Sequence, residues 1–199
     1  MNRPLGIGAL LLIPALAGLF HLLGQSTLRP LTGYLLGMAV YWALLALALV
    51  RCGGWSLRPR APGLPVTLAL VALVGAAAWA WGGTLAALSP PVLVVVACAA
   101  ALNGTLEEAF WRGALIPDPG PWAQIGAGLL FLTWHLAPAS GALLGGQDAA
   151  RLLLGAALIV PPMMAARLAS GTAGAGAVAH ALVNLLAFSA LAAGHGRPV

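Results

Sequence analysis

The sequence predicts an all-α, polytopic membrane bundle of about seven spanning helices, within a range of six to eight. Three observations lead there. Of the 199 residues, 61% are hydrophobic and only 7% charged, against roughly 25% charged in an ordinary soluble domain. The thirteen charges are nine arginines and four acids, too few to build a water-facing surface. The apolar residues fall in long continuous runs, which exclude both disorder and the alternating strands of a transmembrane barrel. The absence of lysine beside abundant Ala, Gly, Leu and Arg fits a GC-rich, bacterial genome.

Spanning the hydrocarbon takes about 20 apolar residues per helix. The first run, residues 5–24, follows Arg3. Ala15-Leu16-Ala17 resembles a signal-peptide cleavage site, but the run continues through Leu22 and Leu23, so it reads as a span. The second run covers 31–50. The longest polar connection follows at 51–65, with Arg51, Arg58 and Arg60. The third run is 66–88, broken by Ser89-Pro90-Pro91, which opens the fourth at 92–116. Pro117, Asp118, Pro119, Gly120 and Pro121 make a turn. The fifth run is 122–137, followed by a loop of small residues at 138–150. The sixth is 151–168 with Pro161-Pro162 inside it, and the seventh is 172–193. The whole chain, 1–199, reads as one membrane domain.

The +5 net charge does not form a nucleic-acid patch. Arg29, Arg51, Arg58, Arg60, Arg151 and Arg167 stand at the ends of apolar runs, as membrane-flanking anchors do. No nucleic-acid partner is expected; the lipid bilayer is. The arginine-rich loop at 51–65 is placed in the cytoplasm, which puts the N-terminus there too, in agreement with Arg3. The expected location is a bacterial inner (cytoplasmic) membrane. Cys52 and Cys98 form no disulfide framework.

Ionisable groups at membrane depth cost on the order of 2.5–3.5 kcal/mol each, so they mark function. Glu107, Glu108 and Arg112 lie in the fourth run, His135 in the fifth, and His180 and Asn184 in the seventh. At 1.5 Å of rise per residue, Glu108 lies about 15 Å deep, His135 roughly 21 Å, His180 about 12 Å and Asn184 about 18 Å. Three helices thus bring a carboxylate, two imidazoles and a carboxamide into one slab. Neighbouring helical residues are about 100° apart, so Glu107 and Glu108 are expected to do different jobs. Glu108 and Arg112, an i, i+4 pair with the acid first, read as a brace. Glu107 shares its face with Asn103 and Trp111 and is the freer carboxylate, suited to act as general base on water. A histidine at that depth can pass the proton, and a His–Asn pair can donate to a developing oxyanion. These are the parts of amide hydrolysis. His21 has no such partners and reads as structural. Gly33, Gly37, Gly171, Gly174 and Gly176 read as close-packing positions.

Glu107, Glu108 and Arg112 spell EExxxR; Phe131 and His135 spell FxxxH; His180 and Asn184 spell HxxxN. In this order, each on a spanning helix, these motifs resemble the CAAX protease and bacteriocin-processing (CPBP) family, also called the type II CAAX prenyl endopeptidase or abortive-infection family. The resemblance covers roughly residues 90–195, the expected catalytic core. It implies an intramembrane endopeptidase of the glutamic type, acting on a membrane-associated or lipidated protein or peptide. Carried over by motif, Glu107 and His135 activate water, and His180 and Asn184 form the oxyanion site. Glu108, Arg112 and Phe131 support the cavity. No cofactor is expected. A zinc site of Glu107, His135 and His180 is chemically conceivable as His₂Glu, but the chain has no HExxH and Asn184 is a poor zinc ligand. Two alternatives stand beside the hydrolase. Buried Glu and His chains also serve proton- or ion-coupled transporters, although no inverted repeat stands out. A non-catalytic immunity or scaffold relative would keep the same fold.

Overall fold

The computed structural model describes residues 1–28, 30–140 and 146–195. Arg29 and Arg197 lie outside them, as does part of the 138–150 loop. The described residues form seven α-helices and no strand: α1 (Arg3–Gly24), α2 (Pro30–Arg51), α3 (Leu64–Leu85), α4 (Pro90–Glu107), α5 (Pro121–Ala139), α6 (Gly146–Ser170) and α7 (Gly174–His195). A π-helix (Glu108–Ala114) continues α4. The helices match the seven apolar runs. Six of the segments are long and apolar enough to cross a membrane. The remaining one, α5, is shorter, carries Gln124 and His135, and has prolines at both ends.

Proline sets many of the helix starts. α1, α3, α4 and α5 each carry Pro in the first turn, where its missing N–H leaves no hydrogen bond unmade and its φ is already helical. The helix surfaces are apolar all round. Trp79 is 94% exposed and Val50 and Trp122 are each 85% exposed. Exposure of that kind suits hydrocarbon and not water.

The chain divides into two compact units. The first comprises Met1–Trp55 and Phe110–Pro161. Within it α1 packs against α2 and α5. α1 runs unbroken past Ala15-Leu16-Ala17 and is part of this packing. Its core is aromatic. The Tyr41 and Trp134 rings stack with centroids 3.7 Å apart, and the Trp111 indole N–H donates to the Tyr41 hydroxyl at 2.9 Å. Gly37 on α2 lies against the fully buried Phe20 ring of α1, where a Cβ would come within 2.5 Å of ring carbon. Gly37→Ala is therefore expected to cost about 1–3 kcal/mol by overpacking, read as a lower melting temperature in detergent.

The second unit comprises Ser56–Ala109 and Pro162–Val199. Here α7 packs against both α4 and α3. The contact with α4 is backbone to backbone: a Cβ on Gly104 would sit 2.5 Å from the Ala181 amide nitrogen. Small residues permit such an approach between membrane helices. The arginine-rich connection is tied to the start of α7. Thr172 Oγ1 donates to the Arg58 carbonyl at 2.7 Å, and the Ala173 amide donates to Ser56 at 2.9 Å. Gly171 adopts φ +73°, a conformation glycine takes without strain, and it makes the turn between α6 and α7. Gly174 lies against the Leu57 and Arg58 backbone, and Gly176 against Glu108. These are the close-packing roles expected of Gly37, Gly174 and Gly176, whereas a Cβ at Gly171 would meet nothing within 4 Å, so that glycine serves the turn and not the packing expected of it.

Candidate active site

The fourth apolar run is not one continuous α-helix. It changes to a π-helix between the two acids, with Glu107 the last α residue and Glu108 the first π residue. The Leu115 amide accordingly bonds five residues back, to Phe110, at 2.9 Å. π-Segments are rare and recur at functional sites.

In the second unit both acids converge on one imidazole. His180 Nδ1 lies 2.9 Å from Glu108 Oε1, and His180 Nε2 lies 3.5 Å from Glu107 Oε2. The expectation that 100° of rotation sends the two acids apart is corrected here. An imidazole presents its two nitrogens on different edges, so one ring lying alongside can face both carboxylates. All three side chains are at least 98% buried. Asn103, one turn before Glu107, donates from Nδ2 to the same Oε2 at 3.2 Å. Sequence reading put Asn103 on the Glu107 face without giving it a role; its i, i+4 spacing from the acid was the available signal. Gly176, one turn before His180, leaves room for the Glu108 carboxylate, 3.0 Å from where a Cβ would be.

Proton placement in this cluster is constrained. With Glu108 ionised, its carboxylate only accepts, and Nδ1 of His180 then donates to it. On the other edge, either His180 is an imidazolium facing the Glu107 carboxylate, or a neutral ring faces a protonated Glu107. The two forms hold the same number of protons and differ by one transfer along the Nε2–Oε2 line. Asn184, one turn beyond His180, is 7% exposed. Its Nδ2 is buried and has no hydrogen-bond partner among the described residues. A buried, unmet donor costs about 1–3 kcal/mol, which a fold carries at a place where something else is to be bound.

The first unit holds the other motif residues. His135 is buried on α5, and its Nδ1 lies 2.8 Å from the Phe131 carbonyl oxygen. A carbonyl only accepts, so Nδ1 donates, and the neutral ring keeps its lone pair on Nε2. The Phe131 ring stands 4.4 Å from the His135 ring. The Arg112 guanidinium lies over the Phe131 ring as well, 4.1 Å from its centroid. That cation–π contact links EExxxR to FxxxH. Among the described residues, no three His, Cys, Asp or Glu side chains gather as a metal-binding group.

The comparisons with known proteins bear on this same stretch. Residues 89–186 match the family model of the type II CAAX prenyl endopeptidase Rce1-like proteins. These residues are similar to that family. They contain all three motifs and run from the start of α4 into α7. No curated protein and no solved structure matches the chain. With its apolar spans the chain is an integral membrane protein, and residues 89–186 resemble a membrane protease family.

Proposed function

We propose that this protein is an intramembrane endopeptidase of the glutamic type that cleaves a membrane-associated or lipidated protein or peptide. The observation that carries this reading is the His180 ring held between Glu107 and Glu108, with the unmet Asn184 donor one turn away. In the working form Glu107 is a carboxylate and His180 an imidazolium. Glu107 takes a proton from the attacking water. Nε2–H of His180 and Nδ2–H of Asn184 donate to the carbonyl oxygen as it becomes an oxyanion. The proton on Glu107 then passes to the departing amine. Asn103 and Glu108 orient the base and the ring. His135 enters through its motif, and its Nε2 lone pair suits a carrier of protons. The reaction is placed in a bacterial cytoplasmic membrane with the N-terminus inside.

The test uses purified protein and a membrane-anchored reporter peptide. Asn184→Ala is expected to lower kcat by about 10² to 10³, the effect of losing one oxyanion donor, with KM nearly unchanged. Cleavage by Asn184→Ala at the wild-type rate would remove Asn184 from the oxyanion site.

A further inference from the structure

The first unit contains an apolar pocket of about 130 Å³ that the proposed chemistry does not use. Most of its wall comes from α1 and α2, which precede the Rce1-like residues. Its shape is a slot. On α1 the lining runs as a stripe from Pro4 through Gly8 and Leu12 to Leu16, about 18 Å of helix at 1.5 Å per residue. An apolar cavity of about 150 Å³ holds one benzene ring. A similar volume along the α1 stripe takes a short stretch of a single hydrocarbon chain, the rest of which stays in the bilayer.

The wall is almost wholly apolar. Its floor is buried, with Tyr41 3% and Trp111 2% exposed. The polar atoms of those two residues bond to each other. The rim is continuous with the lipid-facing surface: Leu12 on the rim is 38% exposed, beside Leu11 at 70%. Both helices are candidate membrane spans, so what lies outside the rim is the bilayer.

One end of the slot is basic. α1 and α2 run antiparallel, since Phe20 near the end of α1 meets Tyr34 and Gly37 near the start of α2. Pro4 lies about 24 Å back from Phe20, and Arg51 about 21 Å on from Gly37. Exposed Arg3 and exposed Arg51 therefore flank the same end. We infer that the slot holds one acyl chain of an anionic phospholipid, with the headgroup phosphate at Arg3 and Arg51. Basic residues at a membrane surface select anionic headgroups in this way. The inference stands apart from the protease reading.

The test is native mass spectrometry of the full chain. The protein is purified in mild detergent and re-equilibrated with equal amounts of dioleoyl phosphatidylglycerol and dioleoyl phosphatidylcholine. The wild type is expected to retain one phosphatidylglycerol. Gly8→Leu fills the slot, and a Cβ at Gly8 meets no atom within 4 Å, so this variant should fold, melt no lower than wild type and lose the lipid. The double variant Arg3→Gln, Arg51→Gln should keep a lipid but lose selectivity by about fivefold per arginine. Retention of phosphatidylglycerol at the wild-type level by Gly8→Leu would overturn the inference. So would unchanged selectivity in the arginine variant. Displacement of the lipid by a farnesylated peptide, equally in the wild type and the arginine variant, would assign the slot to a substrate's chain instead.

Discussion

Glu107→Gln is expected to reduce peptide cleavage by about 10² to 10⁴ while leaving the protein folded. A carboxamide has nearly the shape of the carboxylate but does not accept a proton from water, and the loss of a positioned general base has an effect of that size. The fold should survive because the local bonds are kept. The amide oxygen still accepts from Asn103, which in the native protein donates to Glu107 Oε2 at 3.2 Å. The same oxygen, in the place of Oε2, also faces His180 Nε2, which lies 3.5 Å from it in the native protein. The checks are a cleavage assay and a melting curve measured side by side. Wild-type cleavage by this variant would mean that Glu107 is not the base. Loss of cleavage together with loss of the melting transition would show a structural role instead.

The second large effect is expected at Gly104. Its α-carbon faces backbone on α7, and a Cβ added there would stand 2.5 Å from the Ala181 amide nitrogen and 2.8 Å from its Cα. Backbone does not swing aside as a side-chain end does. Gly104→Ala should therefore push α4 from α7 at a cost of roughly 1–3 kcal/mol. The larger consequence is chemical. Glu107 and Glu108 follow Gly104 by one turn and His180 adjoins Ala181, so the same displacement lengthens the 2.9 Å and 3.5 Å contacts. Cleavage should fall at least tenfold. Gly75 on α3 is the control, because a Cβ there meets nothing within 4 Å. Gly75→Ala should be neutral or stabilising by up to about 1 kcal/mol, the helix-propensity gain. Equal melting temperatures for the two variants would refute the close-contact argument.

Much of this protein was legible in its sequence, and the legible parts are local ones. Each spanning helix is announced by the length of its own apolar run, and the starts of α3, α4 and α5 by prolines that a helix tolerates only in its first turn. The spacing of EExxxR, FxxxH and HxxxN needs no partner helix to be recognised, and residues 89–186 carry the family match. Gln124 and His135, which make α5 less suited to spanning than the other helices, are visible in the same way.

The contacts that make a site were not legible. Nothing in the sequence says that Glu107 and Glu108 meet the same ring, because His180 lies 72 residues beyond Glu108 and the meeting depends on how closely α4 approaches α7. Helical rotation alone separated the two acids, and the imidazole between them reunited their roles. The π-helix is equally a product of packing, since a single sequence of good helix formers does not announce a change of backbone bonding. Composition, run length and motif order therefore determined by themselves that this is a helical membrane protein with a protease-like segment. The tertiary structure decided which donor faces which acceptor, because that is set by ångström-scale helix separation, which the backbone contact at Gly104 permits.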